Sequence, residues 1–170
     1  MMRDYSDPWY AERGRMIHLA TALYDYGTLD ESSLDYRIVP YLEAFKSYRE
    51  QFPFIETDYP DRNIEIVLGD HVYDYAGTLD RNDIEIKAGK PEPWHRIQLA
   101  AYQNLATLNG LDKVPKEILY LNAGEHETLI PELARPNCRI VEPKPKELRE
   151  DLNTFLCGLR IVKWKRENIK

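Results

Sequence analysis

"GTLDRNDIEIKAGK", residues 77–90, decides how this chain is read. A run ending at Leu79-Asp80 meets a second run, Ile84 to Ala88, across a short polar stretch, which is the pattern of a β-hairpin. Along Ile84-Glu85-Ile86-Lys87 the two-residue period sends both isoleucines to one face and Glu85 with Lys87 to the other. A turn of about four residues, Arg81 to Ile84, makes Asp80 and Glu85 cross-strand neighbours, and like charges facing each other in a sheet cost up to ~1 kcal/mol. A divalent cation offsets that cost. Two carboxylates and the backbone carbonyl of Ile86 supply the oxygen ligands that Mg²⁺ or Mn²⁺ accepts. Lys87, directed into the same patch, can orient an attacking water and stabilise charge building on a phosphorus centre. Taken alone, the same residues also read as a surface hairpin carrying an ordinary ion pair.

Working outward, two helices are expected before the hairpin. Asp7-Pro8 reads as an N-cap with proline at the first helical position, and Met16, Ile17, Ala20 and Leu23 then recur at helical spacing. A second helix runs from Pro40 to Gln51 with Tyr41, Leu42, Phe45 and Tyr48 as its apolar stripe. From residue 64 the period changes to two through "IEIVL", "HVYDYAGTL" and "IEIKA", so an antiparallel three-stranded meander is expected. "PWHRIQLAAYQNLATLNGL" restores the helical period with Ile97, Ala101, Leu105 and Leu108 on one stripe, and Gly110 closes it. "KEILYLN" is a further strand and "KPKELREDLNTFLCGLRIVKWK" a final helix. The stretch 134–147, with three prolines, reads as a surface connection. The fold class is α/β.

At 170 residues the chain suits one domain of ordinary core size, residues 1–170. Its net charge is −6, yet residues 144–170 hold eight Lys/Arg against four Asp/Glu, so the basic character sits in the tail. Such a helix is either a solvated face or a tracker of a phosphate backbone. No apolar run approaches the ~18 residues of a membrane span and no signal peptide is visible, so a cytoplasmic protein without membrane contact is expected. Cys138 and Cys157 lack metal-site spacing and read as reduced thiols.

Asp80 with Glu85-Ile86-Lys87, flanked by Gly77 and Gly89 and followed by a helix bearing Gln98 and Tyr102, resembles the RecB-like branch of the PD-(D/E)XK nuclease superfamily. "ERGRMIH" resembles that branch's first-helix motif through Arg13-Gly14 and His18. The likeness spans roughly residues 12–122 in the family's order of elements and implies a restriction-endonuclease-like core. Two features depart from the branch: Ala88 stands where a threonine usually follows the lysine, and the turn after Asp80 is short. The four-cysteine cluster of some members is absent, as is any fused helicase, so the chain looks like a stand-alone nuclease of the phage or mobile-element type.

What the resemblance implies is specific. Asp80 and Glu85 bind metal together with His18 and the Ile86 carbonyl, and Lys87 is the catalytic lysine. A histidine ligand tilts the site toward Mn²⁺ and must be neutral to bind, so activity should fall at acid pH. Gln98 and Tyr102, four apart on one helical face, sit beside the active site, and Glu65 matches an upstream acid of the branch. Trp94, a turn before Gln98, either stacks on a base of single-stranded DNA or packs the helix start. His71 and His126 read as exposed and silent. The expected activity is metal-dependent DNA hydrolysis, exonucleolytic in type. A homo-oligomer or a separate recombination or helicase partner stays open. The alternative is a nuclease-fold module that has lost turnover and binds nucleic acid or a protein.

Overall fold

A computed structural model describes residues 8–53, 63–122 and 138–169. Asp7, His126 and residues 134–137 of the proline-rich stretch lie outside these residues. The elements run α1 (Pro8–Asp25), a short 3-10 turn (Glu31–Ser33), α2 (Val39–Gln51), β1 (Ile64–Asp70), β2 (Tyr75–Arg81), β3 (Ile84–Ala88), α3 (Pro93–Leu108), β4 (Glu117–Leu121), β5 (Cys138–Val141) and α4 (Pro145–Asn168). The α/β class and the element order agree with the sequence reading, with one added strand. β5 occupies part of the stretch expected to be only a connection, because Cys138-Arg139-Ile140-Val141 is a short run of strand formers between prolines.

The strands form two sheets. β1 and β2 pair antiparallel, while β3 belongs to a three-stranded sheet in the order β3-β4-β5. The expected meander is thus an antiparallel hairpin whose following strand runs into a sheet with β4 and β5. The connection between β2 and β3 is shorter than expected. β2 extends through Arg81, leaving only Asn82 and Asp83 between the strands.

The described residues divide into two compact units, each assembled from separated stretches: 1–60, 86–90 and 119–140 in the first, and 61–85, 91–118 and 141–170 in the second. In the first, α1 and α2 bury Ile17, Ala20, Leu42 and Phe45, and the Tyr24 ring meets Phe45 edge-on at 6.0 Å. Arg49 on α2 grips Asp25 at the end of α1 with two 3.0 Å hydrogen bonds, both side chains almost wholly buried. A buried charge pair of this kind holds only because both partners are present; removing one strands the other, at a cost of ~3–5 kcal/mol. At the end of β3, the Gly89 N–H donates to the Leu121 carbonyl at 2.8 Å.

In the second unit, α3 packs on the β1–β2 hairpin and α4 packs on α3. Leu68 and Leu79 from the hairpin join Leu105 and Ala106 from α3 in an apolar cluster, with Ile66, Tyr75 and Tyr102 against it. The α3 stripe is wider than the heptad spacing suggests. Leu99, Ala100 and Ala106 are buried beside Ala101 and Leu105, whereas Leu108 at the helix end is exposed. α4 is tied down by Arg96, whose guanidinium bridges Glu147 (3.0 Å) and Asp151 (3.1 Å).

Candidate metal and nucleic-acid site

The β1–β2 register pairs Ile64 with Arg81 and Ile66 with Leu79, so Glu65 stands opposite Asp80. Each offers a carboxylate oxygen, and these lie within 4.8 Å of one another. Asp80 shares its face of β2 with Ala76 and Thr78, which are exposed, yet Asp80 itself is only 6% exposed. The face is open along the hairpin and covered at the acid. Glu65 has φ +51, in the left-handed region that a residue with a Cβ enters only under constraint. Of the described residues, Glu65 and Asp74 are the non-glycines at positive φ, and the first of them is the acid opposite Asp80.

Arg81 adds a positive charge to the pair. Its side chain is fully buried; Nη1 donates to the Asp80 carbonyl at 2.5 Å and lies 3.8 Å from Glu65 Oε1. The buried guanidinium therefore faces the Glu65 carboxylate and the Asp80 backbone carbonyl. The sequence reading missed this role because it assigned Arg81 to the turn. The signal was present: a charged residue directly after Asp80 can continue the strand as readily as break it.

On β3, Glu85 is 1% exposed, Ile86 is buried and Lys87 is half-buried. The hairpin is therefore no exposed ornament. Isolated carboxylates are not buried this deeply without charge or hydrogen-bond partners. Lys87 and Ala88 lead into Gly89, whose φ of +102 suits only glycine; a Cβ added there would lie 4.0 Å from Arg13 Nη2. Arg13 also donates to the Tyr41 hydroxyl at 3.3 Å. His18 lies on α1, half-buried, and its carbonyl accepts from the Thr21 hydroxyl. His71 is exposed, as expected.

The helix residues expected beside the site are brought together on α3. Gln98 Nε2 donates to the Tyr102 hydroxyl at 2.8 Å, the contact that i,i+4 spacing allows. The Tyr102 ring covers Gly77 of β2, where a Cβ would fall 2.6 Å from Tyr102 Cε1. Gly77 is required by this close approach. Trp94, Gln98 and Tyr102 also line one groove of about 380 Å³ with Tyr75, Ala76 and Phe155. Sequence spacing could not reveal Tyr75 and Phe155 as its walls, since they come from β2 and α4. Their rings sit 4.9 Å apart. Tyr75 is fixed by its hydroxyl, which donates to the Ala101 carbonyl (3.1 Å) and accepts from Asn104 (2.9 Å). Burial pushes its phenol above the ordinary tyrosine value, opposed by the Asn104 hydrogen bond and assisted by the Asp70 charge.

No protein-family model matches the chain, and no curated protein matches it. Solved structures do. A crystal structure of a Eubacterium rectale protein provisionally named an exonuclease aligns over 93% of this chain and 69% of its own, with a TM-score of 0.61 at 14% identity. The alkaline exonuclease LHK-Exo of Laribacter hongkongensis aligns at 14% identity over 95% of this chain and 98% of its own, with a TM-score of 0.30. Its complex with dAMP gives 13% identity, 94% and 96% coverage, and a TM-score of 0.36. The chain thus shares its fold with a structure that carries an exonuclease name.

Proposed function

We propose that the protein is a divalent-metal-dependent deoxyribonuclease of the RecB-like PD-(D/E)XK type that degrades DNA from its ends. One observation carries the reading. Glu65 and Asp80 hold carboxylates within 4.8 Å of each other, the first exposed on a strained backbone and the second buried. Two acids at this spacing repel each other, and a strained backbone adds to the cost. Such costs persist where the surroundings require the arrangement. All the side-chain oxygens involved are hard donors, which suits Mg²⁺ or Mn²⁺. The exonuclease name of the Eubacterium rectale structure supports a nucleic acid as the substrate class, and the RecB-like resemblance of the sequence favours DNA.

In this reading Asp80 and Glu85 hold the ion, aided by the Ile86 carbonyl and Glu65, with the neutral imidazole of His18 as a further ligand. When bound, the ion supplies acidification of a water and neutralisation of phosphate charge. The chain supplies the rest. Lys87 orients the water and stabilises the charge that accumulates on the phosphoryl oxygens. Water oxygen bonds to phosphorus as the bond to the leaving sugar oxygen breaks in line, and that oxygen gains a proton. Gln98 fixes the Tyr102 hydroxyl beside the hairpin. The two compact units interleave along the sequence, so neither is a contiguous piece, and residues 1–170 act as one functional domain.

The test uses purified protein with linear and circular DNA in Mn²⁺, Mg²⁺ or EDTA. Loss of linear DNA with either ion, with circular DNA spared and no cleavage in EDTA, is the expected outcome. Metal-independent cleavage, or none with either ion, contradicts the reading.

A further inference from the structure

A groove on the second unit is walled by aromatic rings. Tyr75 and Phe155 form one wall, locked by the Tyr75 hydrogen bonds and by α4 packing on α3. Trp94, at the first turn of α3, stands at the rim 56% exposed. A large indole left half in water next to apolar walls is an energetic loss that a stacked partner would recover.

A polar group in the groove narrows the choice of partner. Gln98 spends its Nε2 on Tyr102, and its Oε1 is buried with no hydrogen-bond partner among the described residues. A buried acceptor left unsatisfied costs about 1–3 kcal/mol, so it marks where a donor should arrive. The alternative assignment of the amide, with oxygen toward Tyr102, leaves an orphan N–H instead and the same unmet need. A flat aromatic body with hydrogen-bonding groups on its edge satisfies both the walls and the amide. Every nucleobase has this form, and every base presents N–H donors or ring acceptors once unpaired.

We infer that the groove framed by Trp94, Tyr75 and Phe155, with Gln98 in its lining, binds an unpaired nucleobase, so the protein engages DNA through single-stranded ends. The inference rests on the nuclease reading above for its choice of nucleic acid as ligand. An unpaired base is required because the face that the aromatic walls would stack on is hidden in a duplex. Recognition by stacking is tolerant of sequence, which suits an enzyme that degrades rather than reads.

Binding is measured by fluorescence anisotropy in EDTA, with labelled single-stranded DNA, the same strand carrying abasic sites, and a blunt duplex. Wild-type protein should prefer the intact single strand. Trp94→Ala should weaken that binding roughly tenfold or more, and Trp94→Phe, which keeps a stacking face, much less. The abasic strand should bind weakly to wild type and be indifferent to Trp94→Ala. Trp94 is largely exposed, so neither variant threatens the fold, and Gln98→Leu gives an independent arm that should also lose affinity for the intact strand. Equal binding by wild type and Trp94→Ala, or an equal loss on the duplex, overturns the inference. So does a change in sedimentation behaviour without a change in DNA binding, which would assign the groove to a second copy of the chain. The two readings fail separately. Metal-dependent cleavage with no Trp94 effect removes only the groove, whereas a Trp94 effect with no cleavage removes only the nuclease.

Discussion

Glu65 concentrates the cost of the site in one residue. A non-glycine residue held at positive φ typically stores ~1–3 kcal/mol, released if glycine takes its place. Glu65→Gly should therefore be more stable in EDTA than Glu65→Ala by about 1 kcal/mol, while both lose activity. Chemical denaturation of the two variants checks this, and equal stabilities would mean that the backbone at residue 65 is unstrained. Asp80 and Glu85-Ile86-Lys87 could be picked out as candidates from residue type and spacing alone. What was not legible is which acid stands close to Asp80. A four-residue turn set Glu85 opposite it, but β2 continues to Arg81 and the register sets Glu65 there instead. A slip of this size in turn length changes which side chains meet.

Helix positions were read well at the scale of elements, because amphipathic periods of three to four residues survive small boundary errors. Tyr41, Leu42, Phe45 and Tyr48 are all buried on α2 as expected. The aromatic walls from β2 and α4 were invisible, since no local pattern couples residue 75 to residue 155. Gly77 links hairpin to helix. Its replacement by alanine drives a methyl against the Tyr102 ring at 2.6 Å. Overpacking of this sort costs ~1–3 kcal/mol. Gly77→Ala should lower stability by that amount in a urea titration and displace the Tyr102–Gln98 pair; unchanged stability would show that the ring yields freely. At the start of α4, the Lys144 backbone N–H bonds Glu147 at 2.8 Å and, with the Arg96 charge, holds its carboxyl below the usual glutamate range. A depressed folded value means stability that is present above the unfolded pKa and lost as pH falls through the folded one. Thermal melts should therefore show wild type losing stability over that acid range, with Glu147→Gln less stable at neutral pH and less sensitive to acid. Parallel pH profiles would remove the cap from the account.

The whole chain is charged asymmetrically, but the tail is not simply a free basic strip. Lys163 on α4 donates to the Tyr73 carbonyl at 2.6 Å and pairs with Asp74 at 3.1 Å, so that lysine is committed to the β1–β2 turn. Lys165 and Arg166, in the last turn of α4, are the better candidates for contacts with phosphate. Among the described residues no helix is long and apolar enough to cross a membrane. The sequence conveyed the excess of basic residues in 144–170, but only the fold shows that Lys163 is already engaged. The central claim is that the acids of the hairpin form a divalent-cation site, with Lys87 serving chemistry rather than binding. Calorimetric titration of Mn²⁺ into wild type, Asp80→Asn and Lys87→Ala tests it most directly. The account expects saturable binding to wild type and nearly the same affinity in Lys87→Ala, with binding lost in Asp80→Asn. Binding to Asp80→Asn as tight as to wild type, or its loss in Lys87→Ala alone, would contradict it.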